Sequence, residues 1–465
     1  MKLIRQNIKR IATVVSIVLL SLIVYGAYSI STQGQRWFAS SSNKYMRKSK
    51  INVTAGNILD RNNILLAATN IDRKRVYSSD PELRKAMVHT VGDDANNTAY
   101  GAEAYMANYL YGFDESYPER LVQALKGSKR RGKDIKLSLN SSISKKAYSL
   151  FPKDKSGAIV IMNYKTGEIL TLQSHPSFDP MNLTQSDKDN PLKPFWNRTT
   201  MWVSAPGSVF KIITLASALK NIPDAQSRMF ECDGALELTH TTITDASNAI
   251  HNAINLKKAL AVSCNITFAQ VALEVGDTKL QKTASDFGFG DHFLFSDLIV
   301  EDSAYPLNNR SEKELAWTGT GQSSLKTTPL HMAMVASAIA NKGIMMEPKI
   351  LLEVSNEFGK SSYFFKPKIY KKAISKQDAE TISLYMTEAV RNGTASSAGV
   401  SGIKIAGKTG SSQIDGQANA NAWFIGYIDD DRYPFAICVA IENAGSGGSV
   451  AAPIAGKLFK FMTGR

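Results

Sequence analysis

Cysteine is scarce in this chain. Cys232, Cys264 and Cys438 are the whole supply among 465 residues, and an odd, widely spaced trio excludes a disulfide-stapled scaffold. Cys438 lies in the apolar run PFAICVAI and reads as a buried strand residue, whereas a Cys232–Cys264 bridge is left open. Histidine is hardly commoner: of six, His240, His251 and His331 are not spaced as zinc ligands and read as structural. Internal repeats and low-complexity tracts are absent. No zinc-finger or RNA-binding signature accompanies the basic residues, which are scattered. The net charge of +14 therefore points away from nucleic acid. An anionic membrane surface or cell-wall polymer fits it better, a plain solvated surface being the other reading.

Long charge-free runs are equally rare, and the one at Ile11–Ile30 is informative. Its length of about 20 residues suffices to cross a hydrocarbon layer of about 30 Å. Lys2, Arg5, Lys9 and Arg10 precede it, so the positive-inside rule puts residues 1–10 in the cytoplasm and everything after Ser31 outside. The run exceeds a signal-peptide core and no small-x-small cleavage site follows, so an uncleaved anchor is expected over 11–30.

The remaining chain has ample material for a large core and for two or three domains. Gly56–Ala67, GNILDRNNILLA, predicts two short strands around an Asp60-Arg61-Asn62-Asn63 turn. Pro118 to Lys126 predicts a helix, and the basic run Lys126 to Lys136 a solvated loop between domains. Beyond it, IKLSLN predicts a strand and SSISKKAYSLF a helix capped by Ser141 or Ser142. GAIVIMN and EILTLQSH form a hairpin around Tyr164-Lys165-Thr166-Gly167. A mostly helical stretch runs from about Pro206 to Ala340. Strands return at GIKIAGKTGSS, AWFIGYID and PFAICVAIEN before the closing helix VAAPIAGKLFKFM. This order predicts an α+β fold: a mainly antiparallel sheet closed by distant segments, covered by helices, with a helical subdomain beside it.

Three motifs carry chemistry. In Pro206-Gly207-Ser208-Val209-Phe210-Lys211, a helix start places Ser208 and Lys211 on one face. A serine hydroxyl needs a neighbouring base to act as a nucleophile, and a lysine can be that base once burial lowers its pKa. Ser263-Cys264-Asn265 sits between two helical runs, where a tight turn can aim polar side chains into a cleft. Lys408-Thr409-Gly410-Ser411 lies on a late strand. S-x-x-K, S-x-N and K-T-G in this order form the set shared by penicillin-binding proteins and serine β-lactamases.

With these motifs the chain resembles the class B penicillin-binding proteins, and the likeness runs nearly end to end. GNILDRNNILLA is similar to the family's pedestal signature, with Ala55 in place of its leading Arg and Asn63 in place of its turn Gly. NRTTMWVSAPGSVFK, GQSSLKTTPLHMAM, AVRNGTASSAG and AWFIGY are family-like too, while Ser411-Ser412 replaces the usual Thr-Ala.

The resemblance implies a membrane-proximal pedestal over 31–131 and a transpeptidase domain over 132–465. It implies that Ser208 attacks the penultimate D-Ala carbonyl of a peptidoglycan stem peptide and that Lys211 takes its proton. Ser263 and Asn265 would relay protons and hold the peptide. Lys408, Thr409, Gly410 and Ser411 would receive the substrate carboxylate, and the N–H groups of Ser208 and Ser411 would form an oxyanion hole. No metal or cofactor is called for. Expected partners are donor and acceptor stem peptides, β-lactams as inhibitors, the cytoplasmic membrane and a membrane glycosyltransferase. A D,D-carboxypeptidase and a catalytically idle penicillin-binding scaffold or sensor are the competing readings. A β-lactamase would need a base for water, and Glu301, Glu312 and Glu314, the candidates by position, match no such loop.

Overall fold

The computed structural model describes residues 2–38, 53–98, 100–114, 125, 131–239, 241–306, 311–414, 416 and 418–465. The helix expected over 118–126, most of the basic run after it and His240 lie outside the described residues, Leu125 aside.

Helix α1, Lys2–Phe38, opens the chain, and its stretch Leu3–Ser31 is long and apolar enough to cross a membrane. Leu19, Leu20 and Ile23 on it stand exposed, as expected for a membrane anchor. Next come β1 (Ile58–Leu59), β2 (Leu65–Thr69), β3 (Arg75–Tyr77), α2 (Pro81–Val91) and β4 (Asp134–Leu137). They are followed by α3 (Ser141–Leu150), β5 (Gly157–Asn163), β6 (Ile169–His175) and α4 (Lys211–Asn221). Two short strands, β7 (Ala235–Leu238) and β8 (Thr241–Thr244), precede α5 (Leu256–Val262) and α6 (Asn265–Val275). Then come α7 (Glu312–Gly319), α8 (Pro329–Ala340), β9 (Leu351–Ser355), β10 (Ser361–Phe364) and α9 (Lys376–Asn392). β11 (Ile405–Ser412), β12 (Asn421–Ile428), β13 (Phe435–Ile441) and α10 (Ala451–Met462) close the chain.

The central sheet has the order β11-β12-β13-β5-β6 and is antiparallel throughout. Its strands are buried almost continuously because helices cover both faces. Alternate residues serve different cores: Val160, Trp423 and Cys438 join one cluster, while Ile159, Phe424 and Val439 join the other. Helix α8, apolar all round and buried, packs on β5, β12 and β13, and α10 packs on β12 and β13. The stretch 206–340 is less helical than its sequence suggests. Ala235–Leu238 and Thr241–Thr244 pair antiparallel as β7 and β8, in keeping with the β-branched threonines of the second strand.

A second sheet, in the order β10-β9-β4-β1-β2-β3, takes strands from both sides of the expected boundary after residue 131. Asp60 ties this sheet to the rest. Its Oδ1 accepts from the N–H groups of Asn62 and Ile64 at 2.8 and 2.9 Å, and its Oδ2 from Ser141 N–H and Oγ at 3.1 and 2.7 Å. Arg61 reaches Glu168 at 3.1 Å. Asn63 adopts φ +63°, a left-handed conformation that asparagine tolerates where the pedestal signature has glycine. The expected cap of α3 is corrected by one residue: Asn140 accepts from Ile143 N–H, because Ser141 is already engaged by Asp60.

Candidate active site

Gly207–Phe210 forms a single 3-10 turn, and Lys211 begins the α-helix that follows. Gly207 has φ +60°, and a Cβ there would meet the Ser411 carbonyl oxygen at 2.6 Å. A Cβ on Gly410 would meet Pro206 O and Val209 N at 3.0 Å each. These two glycines let the turn press against β11, so half-buried Ser208 sits beside Ser411. Both residues line a cleft of about 650 Å³.

Lys211 is fully buried, and its Nζ donates to Ser263 O at 2.6 Å, Asn265 Oδ1 at 2.8 Å and Ser263 Oγ at 3.3 Å. Burial lowers its pKa to about 8, against the opposing pull of the Asp245 carboxylate. Lys408 is buried as completely. Its Nζ donates to the same Ser263 Oγ at 2.7 Å and to Thr409 O at 2.9 Å. Burial, and then the charge of Lys211, hold the Lys408 pKa well below the ordinary lysine value. Ser263 ends α5 at φ +64°, a costly conformation for a residue with a Cβ. That left-handed cap reverses the chain into α6 and leaves Ser263 and Asn265 lining the cleft.

β11 is an edge strand of the central sheet, so its outer side faces the cleft without a neighbouring strand. Such an edge can take up an extended peptide by main-chain pairing. Thr409 shares a 2.7 Å hydroxyl–hydroxyl hydrogen bond with Thr394, and Gln322 Nε2 donates to Ser411 O at 3.2 Å. Thr394 and Gln322 were not singled out by sequence, although both sit in the family-like runs AVRNGTASSAG and GQSSLKTTPLHMAM. Glu301, Glu312 and Glu314 are exposed, and none lines the cleft. His331 is buried between Ser303 Oγ and Phe287 O at 2.7 and 2.8 Å, with its pKa lowered to about 4 by burial, a structural role as expected.

Behind the Ser263–Asn265 turn, Cys232, Asp245, His251 and Cys264 bring their donor atoms within 4.8 Å of one another. His251, read as structural, has two thiols and a carboxylate as its neighbours here. Cys232 and Cys264 are free thiols with their sulfurs 3.5 Å apart, and Cys438 is a free, buried strand residue.

Residues 157–460 match the family model of the penicillin-binding protein transpeptidase domain. Peptidoglycan D,D-transpeptidase PbpA of Mycolicibacterium smegmatis is 27% identical over 380 residues, covering 74% of this chain and 76% of that protein. Stage V sporulation protein D of Bacillus subtilis is 30% identical over 430 residues, covering 84% of this chain and 65% of that protein. Among solved structures, a penicillin G acyl-enzyme complex of penicillin-binding protein A from M. tuberculosis superposes with a TM-score of 0.79 at 25% identity. It covers 89% of this chain and 100% of that one. A D,D-transpeptidase domain from Eggerthella lenta gives 0.77 at 27% identity, covering 89% and 99%.

Proposed function

The chain belongs to the penicillin-binding protein transpeptidases, and on that premise we propose that Ser208 is the nucleophile through which it cross-links peptidoglycan. It is a class B serine D,D-transpeptidase, open to acylation by β-lactams. The observation that carries the residue assignment is the sharing of Ser263 Oγ by two buried lysines, Lys408 and Lys211, the latter three residues after Ser208 in the same turn.

In this reading neutral Lys211 accepts the Ser208 proton as Oγ attacks the penultimate D-Ala carbonyl. The peptide C–N bond then breaks, and the proton returns through the Ser263 hydroxyl to the departing D-Ala amine. An amine of a second stem peptide attacks the resulting ester, the C–O bond to Ser208 breaks, and Ser208 regains a proton. Lys408, Thr409 and Ser411 hold the terminal carboxylate, whose charge draws a proton back onto Lys408. Gly410 keeps β11 against the turn, and Asn265 orients Lys211 and the donor peptide. The amide groups of Ser208 and Ser411 serve as the oxyanion hole.

Helix α1 anchors the chain with its short N-terminus inside and the catalytic part outside, in keeping with Lys2, Arg5, Lys9 and Arg10. Residues 31–131 form the membrane-proximal unit and 132–465 the transpeptidase unit. A membrane glycosyltransferase supplies the glycan strands and docks through the former. The test is peptide mapping of the full chain after benzylpenicillin: one adduct, on Ser208, is expected. An adduct on another residue, or none on folded protein, overturns the assignment.

A further inference from the structure

Among the described residues the two most exposed large apolar side chains are Ile71, fully exposed, and Phe358, 82% exposed. Both sit at the tips of hairpins in the second sheet, and the two turns are built alike. Asn70 N–H donates to Lys74 O at 3.0 Å, Asn70 Oδ1 accepts from Lys74 N–H at 2.8 Å, and Arg73 carries a left-handed φ of +60°. Asn356 N–H donates to Lys360 O at 3.0 Å, Asn356 Oδ1 accepts from Lys360 N–H at 2.9 Å, and Gly359 has φ +75°. The turn from Asp60 to Ile64 closes in the same way, with Asn63 in the left-handed position. Its polar apex packs Arg61 onto Glu168, whereas the other two turns hold an apolar side chain out into solvent. A turn closed by an Asn side chain on its own backbone fixes that direction without help from neighbours.

Strand direction puts both tips at one end of the sheet. β1 is parallel to β4, β2 runs antiparallel to β1, and β9 runs antiparallel to β4. The β2–β3 and β9–β10 turns therefore lie at the end where the chain enters β1, and the turn after β1 lies at the opposite end. The entry end is also the one fed from α1, since only residues 39–52 separate that helix from Val53. In the order β10-β9-β4-β1-β2-β3 the two turns are four strand spacings apart, roughly 19 Å at about 4.8 Å each. Arg73 and Lys74 stand exposed beside one tip and Lys360 beside the other, and the exposed Asp72 and Glu357 offset only part of this charge.

We propose that Ile71 and Phe358 are lipid contacts: the two tips dip into the membrane interface and, together with α1, stand the second sheet upright on the bilayer. A lone apolar side chain beside Lys or Arg suits such an interface, where the apolar group enters the acyl boundary and the cation meets anionic headgroups. A protein partner fits less well, because a stable protein interface needs a contiguous patch and these are single side chains roughly 19 Å apart. A helix joined to a domain by a linker leaves the domain's orientation free. Two further supports remove that freedom, and so set the height and tilt of the cleft above the membrane. The proposal rests on the anchoring of α1 proposed above.

The test uses the full chain in nanodiscs of phosphatidylcholine and phosphatidylglycerol. Ile71→Cys, Phe358→Cys and, as a control at the opposite end of the sheet, Asn62→Cys are spin-labelled in turn, the three native thiols being buried. Power saturation with oxygen, which partitions into lipid, and with a water-soluble nickel chelate reads the depth of each label. The ratio of oxygen to nickel accessibility is expected to be several-fold higher at positions 71 and 358 than at 62. It is expected to fall at both tips when phosphatidylglycerol is left out or when Arg73→Glu, Lys74→Glu and Lys360→Glu are added. Water-like values at both tips overturn the lipid contact, and so does a lipid-like value at 62, which would mean a sheet lying flat. Shielding from both reagents that appears only with a co-reconstituted membrane protein assigns the tips to a protein partner and overturns it too. Should a labelled variant fail to fold, as judged by penicillin binding, amide hydrogen exchange of the unaltered chain decides. Residues 70–74 and 356–360 are expected to exchange more slowly with phosphatidylglycerol than without it, and equal rates overturn the contact. Extraction of the chain from membranes by alkaline carbonate would instead refute the anchor, and is scored separately.

Discussion

Lys408 Nζ lies 2.7 Å from Ser263 Oγ, on the same oxygen that Lys211 approaches from another side. Two buried ammonium groups converging on one hydroxyl repel each other and lack water to screen them. One of them is therefore readily deprotonated, and a deprotonated lysine is what a serine nucleophile needs.

Acylation should follow the titration of Lys211. Its pKa is lowered to about 8, so below that pH the amine is protonated and has no lone pair for the Ser208 proton. The rate of β-lactam acylation is expected to rise about tenfold per pH unit and level off above pH 8. Lys211→Ala should lose roughly 10²–10⁴-fold and lose the pH dependence with it. A rate that falls between pH 6 and 8 would contradict the role of Lys211 as base.

Lys408→Ala should discriminate between substrates. It is expected to weaken acylation by ligands with a carboxylate in the D-Ala position more than by analogues lacking one. Equal losses on both, measured as kcat/KM, would remove the carboxylate-binding role.

Ser263 allows conformation and chemistry to be separated. Ser263→Gly relieves φ +64° while deleting the hydroxyl, whereas Ser263→Ala deletes the hydroxyl and keeps the strain. Both should acylate slowly, with the glycine variant more stable than the alanine variant by about 1 kcal/mol. Thermal denaturation of the pair measures it.

The motifs could be read directly because each is short, contiguous and borne on one element or turn. The five-stranded sheet was legible for a related reason: strands such as AWFIGYI and FAICVAI are apolar on both faces and cannot be surface segments. What escaped was assembled across the chain. Cys232, Asp245 and Cys264 come from separate segments, and a search for spacing among histidines alone passes over a cluster with one histidine. The cap of α3 was misread because the choice between Asn140 and Ser141 depends on Asp60, 81 residues before Ser141. The sharing of a sheet across residue 131 had no local marker, since β9 and β10 are short and half-exposed.

Gly207→Ala should abolish acylation out of proportion to its effect on folding. The new Cβ would sit 2.6 Å from Ser411 O in a left-handed backbone, so the turn and β11 must part. Labelled-penicillin binding beside a melting curve tests this; full acylation would show that their contact is dispensable.

Asp60→Asn should destabilise the chain by about 1–3 kcal/mol, because an amide NH₂ then faces Ser141 N–H or the turn amides. Denaturant melts measure the loss. An unchanged midpoint would mean that Asp60 does not tie the second sheet to α3.

The penicilloyl enzyme should persist for hours. None of Glu301, Glu312 and Glu314 lines the cleft, and Glu314 is committed to a capping box with Ser311. Mass spectra taken after removal of excess drug should keep the adduct; repeated turnover within minutes would favour a β-lactamase.

The sheet ordered β10-β9-β4-β1-β2-β3 also sets a timetable for biosynthesis. β1 to β4 are complete once residue 137 has been made, but one side of β4 is covered only by Leu351–Ser355. A nascent chain emerging from its N-terminal end must carry that bare hydrogen-bonding edge through more than two hundred residues of further synthesis. Pairings so distant in sequence form slowly, and open edges recruit other chains. A truncation ahead of residue 351 should therefore give a chain prone to aggregate rather than a smaller working enzyme, and the interval before closure is when a holdase has the most to protect.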